Sequence, residues 1–117
     1  MPISIQIVGE PITLDELRSL ARKQFGEMMK AVVDVEQGIM AIGGELHADE
    51  EAVLLDQGSR QSDLWGINLY PDAAGAERIE FDSMINVRPA QGNRSRSVED
   101  VARRERIREI VNRLVRE

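Results

Sequence analysis

Three arginines, an asparagine, a glycine and a proline fall within ten residues in "RPAQGNRSRS", from Arg88 to Ser97. Guanidinium groups offer paired N–H donors in a fork that matches the oxygens of a phosphate or carboxylate. Pro89 and Gly92 bend the chain, and Arg94 and Arg96 arrive just before a helix, whose first amides are themselves electropositive. Arg88, Asn93, Arg94 and Arg96 are therefore the candidate anion-binding residues, and an anionic small molecule is the candidate partner. The glycine-rich lysine motif of nucleotide-binding loops is absent. A competing reading makes the same arginines a counter-charge to the rest of the chain.

A second chemical stretch is "GGELHADEE". His47 is the only histidine, and its ordinary pKa suits an acid or base near neutrality. In an extended chain Glu45, His47 and Asp49 share one side and offer a nitrogen and two carboxylates to a divalent ion. Asp49 is equally placed to cap a helix, with Glu50 and Glu51 answering its dipole. One imidazole is a weak argument for a ligand set, so neither a metal nor a cofactor is expected. Asp82 is the candidate catalytic partner of His47. No Gly-x-Ser-x-Gly occurs, and a serine triad through Ser83 or Ser95 would have to use His47.

The elements that must hold these residues follow from periodicity. "ISIQIV" from Ile3 to Val8 alternates as a half-buried strand does. Thr13 with Glu16 forms a capping pair, Ile12 staples onto Leu17, and Leu14, Leu17, Ala21 and Phe25 make one helical stripe ended by Gly26. Lys30 to Val35 and Ile39 to Leu46 read as a hairpin around Glu36, Gln37 and Gly38. A short helix from "ADEEAVLLDQG" closes at Gly58. "DLWGINLYP" and "ERIEFDSMINVRP" form a second strand pair. The last helix is capped by Ser97 and buries Val101, Ile107, Ile110, Val111 and Leu114.

The expected fold is a single α+β domain over residues 1–117, with a five-stranded, mostly antiparallel sheet and three helices in the order β-α-β-β-α-β-β-α. The first strand is expected to pair in parallel through a right-handed crossover, with the helices on one face of the sheet. On the fifth strand Ile79, Phe81, Ile85 and Val87 would face the core, and Glu80, Asp82, Asn86 and Arg88 would face out. Trp65, Ile67 and Leu69 likewise point inward. Asn68, Tyr70 and Asn86 then join Asp82 and Arg88 in a polar sheet face able to hold a small ligand, although alternating strands also produce such faces idly.

Composition narrows the function. The chain has 117 residues, no cysteine and a net charge of −6, which excludes disulfides, thiolate metal sites and thiol nucleophiles. No segment approaches the ~18 apolar residues of a membrane span, and "MPISIQIVGE" lacks a secretory pattern, so a cytoplasmic location without membrane partners is expected. Residues 1–86 carry a net −10 and residues 87–117 a net +4. That basic quarter can pair with its own body, with an anionic ligand or with a second copy, which makes a homo-oligomeric interaction module the alternative to anion binding. Nucleic acid is a poor fit. Glu99 with Arg103 and Glu109 with Arg113 tie up charge at helical spacing, and aromatic residues are few.

"AVVDVEQGIMAIGGELHADEE", "GSRQSDLWGINLYP" and "IEFDSMINVRPAQGNRSRSVED" together resemble a family of small single-domain prokaryotic proteins of unknown function. The resemblance spans nearly the whole chain. It implies a free-standing domain and assigns no catalytic residue.

Overall fold

The computed structural model describes residues 4–117. Over them the chain runs β1 (Gln6–Val8), β2 (Ile12–Thr13), α1 (Leu14–Arg22), β3 (Met29–Asp34), β4 (Ile39–Ile42), α2 (His47–Asp56), β5 (Leu64–Leu69), β6 (Ile79–Glu80), α3 (Val101–Leu114) and β7 (Val115–Arg116), with four short 3-10 turns between them. Ile3, the expected start of the first strand, lies outside the described residues. The fold is α+β, with three helices and a five-stranded antiparallel sheet ordered β1-β4-β3-β5-β6.

The central hairpin is built around Asp34. Its buried carboxylate accepts the Glu36 and Gln37 amides at 2.9 Å each and the Ser59 hydroxyl at 2.6 Å, so the reversal after β3 is clamped by a side chain. Gly38 completes the turn at φ 70°, where a Cβ would also meet the Arg113 guanidinium.

β3 and β4 are apolar at successive positions, in "AVV" and "MAI", and a strand of that kind must bury both faces. Met29, Ala31, Val33, Met40, Ile42, Trp65, Ile67 and Leu69 pack on α1 and α3. Val32, Ala41 and Leu64 on the other face pack under Leu54 of α2. The expectation of helices on one face is thus corrected: α2 covers much of the second.

Several local expectations are also corrected. β1 pairs antiparallel with β4, through Ile7↔Ala41, rather than in parallel. The parallel pairing is instead the short β2–β7 ladder, Ile12↔Val115, by which the end of the chain docks against the start of α1. Val8 faces the core while Ile7 is exposed, one residue out of step with the predicted alternation. Phe25 lies outside the α1 stripe, 44% exposed, with the Lys30 ammonium 5.1 Å above its ring. Thr13 does cap α1, accepting the Glu16 amide at 3.1 Å. The cap of α3 is Asp100, which accepts the Arg103 amide at 3.0 Å, and not Ser97.

β6 is only two residues long. After Glu80 the chain leaves the ladder and curls over the α2 face of β5, so the predicted alternation through Arg88 fails. Gly66 makes this possible, because a Cβ there would stand 2.6 Å from both Cβ and Oγ of Ser83.

Candidate functional site

Arg88 and Asn93 of the arginine loop are engaged by the protein's own groups. All five N–H groups of Arg88 meet acceptors: Nε donates to the Ile85 carbonyl at 2.9 Å, one terminal nitrogen to the Gln61 carbonyl at 2.9 Å and Gln91 Oε1 at 3.3 Å, and the other to the Leu64 carbonyl and, at 3.4 Å, to Glu51. Its guanidinium also stacks on Trp65, 4.6 Å from the ring centre, with Arg103 stacked at 4.3 Å on the same ring system. A guanidinium so saturated has no donor left for a ligand.

Asn93 is buried and organises the loop. Its Nδ2 donates to the carbonyls of Asn86, Ser95 and Ser97, and its Oδ1 accepts the Glu99 amide at 2.8 Å. Two of the loop amides are taken up by an internal carboxylate. Glu99 Oε2 accepts the Arg94 amide at 2.9 Å and the Ser95 amide at 2.7 Å, and the Ser95 contacts hold its carboxyl below the usual range.

Asn86, expected on a wetted face, is fully buried. Its carboxamide accepts the Gly66 amide at 2.8 Å and donates to the Gly66 carbonyl at 2.9 Å, so a side chain continues the ladder where β6 has stopped. Tyr70 donates its hydroxyl to Glu80 at 3.1 Å.

A cleft of about 410 Å³ opens between the first turn of α2, the second face of β3 and β5, and the 82–85 segment. Leu46 is the cap residue of α2 and provides no side-chain bond to its first amides. His47, expected beside Asp49 in an extended chain, instead starts this helix. Its Nε2 lies 2.7 Å from the Ile67 carbonyl, which can only accept. Nε2 therefore carries the proton and Nδ1 keeps a lone pair. Burial pushes the His47 pKa down, the Ile67 carbonyl opposes that, and Lys30, Asp82 and Arg96 all act on it electrostatically.

Lys30, from β3, donates to the Glu45 carbonyl at 3.0 Å. Arg96 reaches in from the loop and donates from Nε to Asp82 at 2.7 Å. Asn68 donates to Glu80 at 2.8 Å, while its own Oδ1 is buried without a partner among the described residues. Of the predicted residues, His47, Asn68, Asp82 and Arg96 thus line one cleft, and Arg88, Asn93, Arg94, Tyr70 and Asn86 do not. Glu45, His47 and Asp49 do not converge once the helix begins at His47. Among the described residues no group of three or more histidine, aspartate or glutamate side chains is arranged to hold a metal ion.

Glu50 lies in the first turn of α2, where its charge was expected to answer the helix dipole. It is fully buried, and burial pushes its carboxyl up to about 9, against the Gly44 amide that donates to it at 3.0 Å. The signal for it was the paired glycine: a Cβ on Gly44 would stand 2.7 Å from Glu50 Cγ.

A family model described as protein of unknown function (DUF5674) matches residues 6–114. The chain belongs to this family. The match takes in every residue of the cleft and of the loop. No curated protein matches the chain, and no solved structure does. No helix among the described residues is long and apolar enough to cross a membrane.

Proposed function

We propose that the protein binds a small anionic molecule, carrying a carboxylate or phosphate, in the cleft at the start of α2. Arg96 is its main cationic partner and Lys30 the second. The observation that carries this reading is the position of Arg96. It alone of residues 88–97 lines the cleft, and its side chain is 57% exposed, with Nε bonded to Asp82 and the terminal nitrogens without a partner among the described residues. The uncapped first turn of α2 adds amide donors on the same wall. In this reading Asp82 orients Arg96. His47 Nδ1 is the acid–base group facing the bound molecule, so any chemistry is a proton transfer at that nitrogen.

The alternative, assembly of copies through the basic tail, has less to draw on. Arg106 and Arg113 donate to the Val35 and Gly38 carbonyls of their own chain, and Arg108 pairs with Glu105.

A thermal-shift series with inorganic phosphate and with simple carboxylates, at low and high salt, tests the reading. The expected result is a salt-resistant rise in Tm that Arg96→Ala abolishes and Arg94→Ala preserves. No rise with any anion, or equal loss in both variants, overturns it.

A further inference from the structure

The cleft that receives the anion is not uniformly cationic. Lys30 and Arg96 share its walls with Glu80 and Asp82, so two charges of each sign face the same space. A bare anion meets repulsion there as well as attraction. A molecule that carries a cation beside its acid group meets complementary charge at both ends.

Hydrogen bonding points the same way. Of the buried side-chain polar atoms without a partner among the described residues, only Asn68 Oδ1 belongs to a residue lining the cleft. An unpaired acceptor calls for a donor, which a carboxylate or a phosphate monoester dianion does not bring and an ammonium does. Beside it Glu80 uses one oxygen, Oε1, for both Asn68 and Tyr70, and the other has no partner among the described residues.

The remaining wall is apolar. Met28, Leu46, Met84 and Ile85 line it, and Met84 is 67% exposed, a large apolar side chain at the mouth of a charged cleft. Methionine adapts its shape to what it packs against. The volume sits at the small end of the range for small-molecule pockets, roughly 300–1,000 Å³.

Resting on the anion-binding reading, we infer that the ligand is a small amphiphilic zwitterion, of the class of an α-amino acid with an apolar side chain. Its carboxylate lies on Arg96 and the first amides of α2. Its ammonium lies toward Glu80, Asp82 and Asn68, and its side chain packs against Met84 and Leu46.

Calorimetric titration of the full chain with L-leucine, N-acetyl-L-leucine, L-leucine methyl ester, L-alanine and inorganic phosphate separates the possibilities. Leucine is expected to bind, and blocking either its ammonium or its carboxylate is expected to weaken binding by about tenfold or more, roughly the loss of one charged partner. Alanine is expected to bind more weakly than leucine. Glu80→Gln is expected to weaken leucine binding while leaving N-acetyl-leucine unchanged, which a merely structural role for Glu80 would not produce. If N-acetyl-leucine or phosphate binds as well as leucine, the zwitterion assignment is overturned and the anion reading stands. If none of the five binds, both fall.

Discussion

The loop from Arg88 to Ser97 and the cleft at the start of α2 share Arg96 and otherwise use charge in opposite ways. In the loop, Arg88 meets five acceptors, Asn93 ties three carbonyls together, and Glu99 occupies the loop amides. In the cleft, among the described residues, Arg96 has one bonded nitrogen, the first turn of α2 has no side-chain cap, and Asn68 keeps an unpaired oxygen. Arg88 and Asn93 of the denser run are spent on structure, and the sparser group is the one in which we propose a ligand site. What recruits an anion is the number of donors left over after folding, and a run of arginines does not report that number.

The comparison breaks most visibly at Arg88. Its side chain is 11% exposed, and removing it strands Glu51 and several carbonyls, so Arg88→Ala should cost about 3–5 kcal/mol and lower Tm by roughly 10 °C or more. Any ligand-induced shift should survive in the protein that still folds. A stable Arg88→Ala protein that has lost anion binding would make the loop, not the cleft, the site.

Glu50 gives the next largest effect. Its folded-state carboxyl is held up to about 9, so between the ordinary value of 4.5 and that point the folded chain binds a proton the unfolded chain has released. Stability should therefore decline as pH rises through this window, by on the order of 1 kcal/mol per pH unit. Glu50→Gln, measured by urea unfolding at pH 5, 7 and 9, should flatten that slope. His47 acts in the opposite sense. Its folded pKa is depressed, so the unfolded chain takes up a proton first and stability drops as pH falls below about 6.5.

Gly66→Ala probes the wall the two regions have in common. The added Cβ must push Ser83 away from β5, and a cost of roughly 1–3 kcal/mol is expected from the denaturation midpoint. Because Ser83 and Ile85 also line the cleft, leucine affinity should fall in the same variant. Unchanged affinity would show that the 82–85 segment is not part of the site.

The smallest change sharpens the contrast best. Glu99 is exposed, so Glu99→Ala should barely move Tm, yet it empties the Arg94 and Ser95 amides. A weak, salt-sensitive phosphate shift should appear in this variant that Arg94→Ala removes. If it does not, the loop amides have no anion affinity of their own.

Much of the fold was legible because its signals are local. The Thr13–Glu16 cap, the hairpin ended by Gly38 and the glycine after α2 each rest on partners a few residues apart. Part of the lining of the cleft was legible in residue type, and its geometry was not. His47, Asn68, Asp82 and Arg96 were all named from residue type, but nothing in the sequence joined His47 to Arg96, or set Arg88 and Asn93 apart from them. The burial of Glu50 was not legible, because a glutamate in a first turn looks the same whether the helix lies on the surface or presses on a sheet.

The sequence by itself determined the three helices, the antiparallel hairpins and the family, since periodicity, caps and turns act over short range. Only the tertiary structure decided that both sheet faces are covered, that Asn86 replaces a strand beside Gly66, and that Arg113 reaches Gly38 from 75 residues away. Whether a donor is free depends on every acceptor the fold brings to it, and that sum is a property of packed contacts, not of neighbouring residues along the chain.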